Sequence, residues 1–174
     1  MELIQAEWEN DREYMSIIED LLENSELLKL DRITHHHYTT RLLHSLFVSY
    51  TSYKLAKSLD LDYVATARAG LLHDFFLEER DELQELGLGS HNSAHPKVAL
   101  KNAKSITNVN RKEKDIILKH MFLTTMRSGI PKYKESYLVS FVDKYCAMIE
   151  VSKPSRHWVK NIYSLLQSKV SYTN

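Results

Sequence analysis

Apolar residues recur along the chain at intervals of three and four, the period of a helix, and no stretch reads convincingly as a strand. From Glu2 to about Leu22, the residues Leu3, Ile4, Trp8, Met15, Ile18, Leu21 and Leu22 roughly keep to one helical stripe. A short helical piece covers Ser25 to Leu30. The next helix runs from about Tyr38 to Leu59, with Leu43, Leu46, Phe47 and Tyr50 as its buried face. Asp62 is placed to cap a helix through Val64, Leu71 and Leu72. The stretch ELGLGSHNSA, from Glu85 to Ala94, holds two glycines and reads as a loop. Pro96 then suits the first turn of a helix, where its missing N–H is no loss. Asn110 and Glu113 match a capping box ahead of Ile116, Ile117 and Leu118. RSGIPKYKES reads as a second loop. A helix from about Lys134 to Val151 carries Leu138, Val142, Tyr145 and Ile149, and a last one runs from Ser155 to about Val170. The pattern predicts an all-α bundle of helices, with residues 1–174 forming one domain.

Composition narrows this picture. The chain has 174 residues, 43% of them hydrophobic and 26% charged, enough for one real core. Only 4 Gly and 3 Pro occur, too few for the turns of an all-β chain. Lys and Arg number 23 against 23 Asp and Glu, which gives no general attraction to nucleic acid or an anionic membrane. The single cysteine, Cys146, excludes a disulfide framework within the chain and fits a reducing compartment. MELIQAEWEN lacks the basic and apolar regions of a signal peptide, and no apolar run approaches the ~20 residues of a membrane span. A cytoplasmic protein is expected. The amphipathic stretches after Glu2 and after Pro154 have the pattern to pack on a second copy, so a homodimer is also an expectation.

The polar residues that break the apolar faces carry the candidate chemistry. In GLLHDFFLEE, His73 and Asp74 stand among Leu71, Leu72, Phe75 and Phe76. An ionised carboxylate there costs several kcal/mol to desolvate unless a cation pairs with it. His44 sits beside the apolar stripe of its helix. His120 shares a face with Ile116 and Ile117. Asp143 lies between Val139, Val142 and Cys146 on an inner face. Each alone reads as a hydrogen-bonded core residue. Four separate helices supplying such residues in order point instead to a shared metal, because Asp and neutral imidazole are ordinary ligands of divalent cations.

That order, His44, then His73-Asp74, then Asp143, resembles the H…HD…D pattern of the HD superfamily of metal-dependent phosphohydrolases. RLLHSLFV is similar to the helix that supplies the first histidine, ARAGLLHDFF to the motif helix, and ESYLVSFVDKYCAMIE to the closing helix with its Asp-Lys pair. HNSAHPKVALKNA and IILKHMF resemble the segments that furnish a second metal in the two-metal branch. The resemblance implies an all-α fold and one metal on His44, His73, Asp74 and Asp143. Asp74 would bridge to a second metal completed by His95 and His120. It further implies Mn, Fe, Mg or Zn as cofactor, a phosphate ester such as a nucleotide as substrate, and attack by metal-activated water with His73 and Asp74 at the catalytic centre. Arg41 precedes His44 by three residues and points the same way, suited to a phosphate. His37 lies one turn earlier, while Lys97 and Lys144 are further candidates for phosphate contact.

The chain departs from parts of the family pattern. Phe75, Phe76 and Leu77 follow the HD pair, where some members carry a Gly-Lys. Leu77 stands where the small deoxynucleotidase branch has a glutamate, and Glu78 is one position further on. No Gly-Tyr-Pro signature of cyclic-dinucleotide hydrolases occurs. Hydrolysis of a dinucleoside polyphosphate is a related expectation. An HD-fold module that senses a nucleotide or metal without turnover is the contrasting one, and the full set of inward ligands argues against it.

Overall fold

The structure is a computed structural model that describes residues 8–35, 39–125 and 129–151. Among these, α1 is Arg12–Leu22, α2 Ser25–Leu28, β1 Thr34–His35, β2 Thr39–Thr40, α3 Arg41–Ser58 and α4 Tyr63–Leu72. They are followed by α5 Arg80–Glu85, α6 His91–Ile106, α7 Arg111–Lys119 and α8 Lys134–Val151. The all-α expectation holds apart from one two-residue ladder, in which Thr34 pairs with Thr40 and His35 with Thr39. No helix of the described residues is long and apolar enough to cross a membrane.

The bundle is organised around α3. Every residue from Arg41 to Tyr50 is buried, so this helix has no solvent face over its first half. Its sequence allows that, because RLLHSLFVSY is apolar or small almost all round. It packs mainly on α4 and α8, while α7 bridges α4 to α8 and α6 lies against α7. The start of α3 is pinned by Thr40, whose hydroxyl accepts from the Leu43 N–H at 3.2 Å and donates to Asp31 Oδ1 at 2.9 Å. A side-chain cap of this kind contributes ~1 kcal/mol and fixes where the helix begins. His44 is one turn further on.

The α3–α4 contact depends on Gly70. A Cβ on this residue would lie 2.9 Å from Ser49 Cα and 3.3 Å from Ser49 N, inside the van der Waals limit of backbone that cannot move aside. The close approach is held by Ser49 Oγ, which donates to the Ala67 carbonyl at 2.7 Å and accepts from the Tyr14 hydroxyl at 2.8 Å. Gly70 is one turn before His73, so the same contact sets the depth of the HD pair against α3.

Several boundaries differ from the sequence reading. The expected first helix is broken at Asp11: Trp8, Glu9 and Asn10 are helical, and α1 begins at Arg12, capped by Asp11, with Tyr14 on its buried face. Leu3 and Ile4, and the last expected helix from Ser155, lie outside the described residues. The expected loop from Glu85 to Ala94 is shorter: α5 precedes it, and α6 already starts at His91 after Ser90. Pro96 is therefore the sixth residue of α6 rather than its first turn. A proline so near a helix start removes one early hydrogen bond and leaves the rest of the helix intact. In α8 the bounds agree, but Tyr145 is 50% exposed instead of buried.

Replacing Gly70 with alanine should cost about 1–3 kcal/mol, the usual penalty of overpacking a tight interface. Urea unfolding of Gly70→Ala checks this, and an unchanged midpoint would show that α3 and α4 do not need this approach.

Candidate metal centre

The candidate ligands come from five helices. His44 is on α3, His95 on α6 and Asp143 on α8. His73 and His120 occupy the residue just after α4 and α7. Asp74 comes directly after His73. All six are buried, with His44 and His73 fully so.

Local helix geometry orients the rings. His73 Nδ1 lies 2.7 Å from the Gly70 carbonyl and His120 Nδ1 lies 2.8 Å from the Ile117 carbonyl. These are carbonyls of the last turn, which a helix leaves without an internal partner. His95 Nδ1 is 2.8 Å from the His91 carbonyl one turn back. A carbonyl only accepts, so each of these three rings carries a proton on Nδ1 and turns Nε2 toward the centre. His44 is held differently: its Nδ1 is 2.9 Å from Glu150 Oε1, and its Nε2 is 3.2 Å from Asp143 Oδ1.

The inward atoms crowd together. Asp74 Oδ1 is 3.4 Å from both His95 Nε2 and His120 Nε2. His73 Nε2 is 3.7 Å from Asp74 Oδ2 and 3.8 Å from Asp143 Oδ1. The ligand atoms of His44, His73 and Asp143 lie within 4.8 Å of one another, as do those of His73, Asp74 and His120. Nitrogen and oxygen ligands bound at ~2.0–2.2 Å stand roughly 3–4 Å apart around a first-row metal, so this spacing suits one.

Two features show that these residues fit a cation. His73 Nε2 and Asp74 Oδ1 are buried and make no hydrogen bond within the protein. Such atoms cost on the order of 1–3 kcal/mol each unless something satisfies them. His95 Nε2 and His120 Nε2 face each other at 2.9 Å. With both Nδ1 protons committed to carbonyls, this contact calls for positive charge between the two Nε2 atoms, which a bound cation supplies, as one extra shared proton also would.

The electrostatics divide the histidines. Burial pushes His73 down to about 4 and His95 down to about 3, so both are neutral and able to ligate at ordinary pH. Burial also works against charge on His44, but Glu150 and Asp143 outweigh it and raise the ring to about 10, so without a cation it is protonated on both nitrogens and must give up its Nε2 proton to ligate. Asp74 and Asp143 stay well below the usual carboxylate range despite burial, because imidazoles crowd them.

The other sequence candidates divide. Arg41 is buried at the site: its guanidinium stacks 3.7 Å over the Phe76 ring and donates to the Phe76 carbonyl at 2.5 Å. Lys144 Nζ is 2.5 Å from Asp143 Oδ2 and 3.1 Å from Met121 Sδ, so it sits on a ligand carboxylate. Lys97 is exposed and donates to the Leu88 carbonyl, away from the ligand cluster. His37 lies outside the described residues. Sequence reasoning missed Glu150, whose Oε2 also accepts from Thr39 Oγ1 at 3.3 Å. The available signal was its place seven residues after Asp143, two helical turns along the same face. His91, read from sequence as a surface or loop residue, is half-buried with its ring 5.0 Å from His95 and 5.9 Å from Phe76.

A carboxylate behind a ligating imidazole orients the ring and raises its basicity, and its loss typically weakens metal binding 10–100-fold. Glu150→Gln should therefore bind Mn(II) about that much more weakly while keeping its fold, as titration calorimetry and circular dichroism would report. Asp74→Ala should lose metal binding, and wild-type metal content in that variant would remove Asp74 from the ligand set.

A family model described as the HD domain matches residues 41–148, more than half of the chain. Comparison with curated proteins and with solved structures returns no match. The matched segment opens at Arg41 and takes in His44, the His73-Asp74 pair, His95, His120 and Asp143, the residues that converge at the centre of the bundle. The chain belongs to the HD superfamily of metal-dependent phosphohydrolases.

Proposed function

We propose that this protein hydrolyses a phosphate ester, of the nucleotide class, at a centre that binds two divalent cations. The observation that carries the reading is two neighbouring ligand groups, His44–His73–Asp143 and His73–Asp74–His120; the single free nitrogen of His73 serves one ion, so the carboxylate of Asp74 is the group able to serve both. His44, His73, Asp74 and Asp143 would hold one ion, and Asp74 with His95 and His120 the other. Mixed imidazole and carboxylate ligands favour Mn, Fe or Zn over Mg. Bound ions of this kind supply an acidified water at neutral pH and positive charge for the phosphoryl oxygens.

The chain's own residues supply substrate binding. Arg41 is a buried cation with no carboxylate within ion-pair distance among the described residues, and its Nε has no hydrogen-bond partner. A desolvated charge left in that state is costly, and a phosphate dianion would relieve it. The Phe76 ring behind the guanidinium and the Phe76 carbonyl at its edge fix the plane in which it presents its remaining donors. Lys144 offsets the negative charge of Asp143 at the same face. A Ser or Cys nucleophile is not required by this scheme, and Cys146 has its thiol pushed up by burial.

The reading is tested by elemental analysis of untagged protein together with turnover of bis-p-nitrophenyl phosphate on the same sample. About two transition-metal ions per chain with turnover abolished by chelation is the expected result. No metal after reconstitution with Mn and Fe would overturn it. Arg41→Ala should raise KM about 10–100-fold, the worth of a charge-assisted hydrogen bond, with a smaller change in kcat. Arg41→Lys should not restore KM, because an ammonium cannot reproduce a planar fork stacked on Phe76.

A further inference from the structure

The buried apolar residues fall into two groups that do not merge. The main core draws on α1, α3, α4, α7 and α8, and takes in Ala99, Leu100 and Ala103 from the second half of α6. A separate cluster joins Phe76, just after α4, with Leu83 of α5 and with Ala94 and Val98 of the first half of α6. Among the described elements, α5 packs on α6 and on no other helix to a comparable extent. Helix α6 meets α7, α5 and α4 but makes no comparable contact with α3 or α8. A small satellite cluster of this kind opens more readily than a core, because fewer apolar contacts must be broken.

His95 belongs to the satellite. It follows Ala94 on α6, and its ring centroid is 5.1 Å from that of Phe76. Local structure does little to hold this half of the helix. Ser90, at the cap, takes no N–H of the first turn onto its side chain, that turn carries no acidic residue, and Pro96 removes one backbone hydrogen bond. The second half is fixed differently: Asn102 Nδ2 donates to the Phe75 carbonyl at 3.0 Å, in the turn that carries Asp74. Phe76 is itself pinned from the α3 side by the Arg41 guanidinium. The place of His95 relative to Asp74 is then set by how α5 closes over Phe76, and Leu83, fully buried, is the residue that α5 contributes. The other ligands do not share this dependence. His44, His73 and Asp143 come from α3, the end of α4 and α8, which pack on one another through the main core, and His120 ends α7, which packs on α4 and α8.

We propose that α5 and the first half of α6 form a positioning unit that delivers His95, and so governs the ion held by Asp74, His95 and His120 without governing the ion held by His44, His73 and Asp143. Leu83 is its positioning residue and acts through His95. The inference rests on the two-ion reading and deepens it: one site is built into the core, while the other is completed by an element that can loosen alone.

The test is a Mn(II) titration of the full chain and of Leu83→Ala, read by calorimetry and by metal content. One of the two ions should bind about 10–100-fold more weakly in the variant, as when a ligand loses its support, and the other should be unchanged. Leu83→Met, which conserves volume, should restore both. Parallel weakening of both ions, or no change in either, would overturn the proposal. A second measurement follows hydrogen exchange in the metal-free chain by mass spectrometry. Leu83→Ala should speed exchange over residues 80–98 and leave residues 41–58 as they are, whereas equal acceleration of both, or of neither, would show that no separate unit exists. A wild-type chain that binds one ion or none would instead sink the two-ion reading, and the exchange pattern would still decide whether α5 and the start of α6 open by themselves.

Discussion

The constraint on which the rest depends is a group of imidazole lone pairs and carboxylate oxygens gathered inside an apolar bundle. Packing alone does not favour it, because an orphaned acceptor and a pair of opposed lone pairs are both unfavourable there. Positive charge relieves both. The rings are prepared for that charge before it arrives. His73, His95 and His120 each spend their one proton on a backbone carbonyl of their own helix, and two of those carbonyls would otherwise be unpaired helix ends. One hydrogen bond thus closes a helix and selects a tautomer.

The bundle is built to bring these ends together. A helix buried on all sides over its first half, α3, acts as the shared wall, and Gly70 lets α4 approach it closely enough to set His73 beside His44. The ring centroids of His44 and His73 are 5.5 Å apart, and those of His73 and His120 are 4.9 Å apart. Such spacing requires three helices to converge on one point. Arg41 at the start of α3 is buried by the same packing that buries His44, so the buried guanidinium and the candidate metal ligands share a single structural cause.

Much of this was legible in the sequence, and for definite reasons. The bounds of α8, the Asp62 cap and the Asn110–Glu113 capping box arise from side chains and patterns that act locally and are readable from neighbours. Five of the six candidate ligands stood out because each interrupts an apolar face, and His95 was named through the family resemblance alone. Glu150 did not, since its partner His44 is 106 residues away and the cue close to it was a place two turns from Asp143 on the same face. Helix α5 and the early start of α6 were hidden by glycines and by Pro96, whose local preference is overridden once Ser90 begins the helix. Lys97 was named for its charge, which says nothing about direction, and its ammonium donates to the Leu88 carbonyl. Tyr145 misled as an apolar residue with helical spacing on the face that the core does not use.

One consequence concerns the equilibrium between folded and unfolded chain. The ligands are distant in sequence and converge only when α3, α4, α6, α7 and α8 are docked together. An unfolded chain offers no such set, so a cation held there binds the native state almost exclusively. Occupancy and folding are then one linked equilibrium, in which native stability grows by about 1.4 kcal/mol for each tenfold excess of free metal over its dissociation constant. The metal supply of the cell would in this way govern the lifetime of the fold as well as its chemistry.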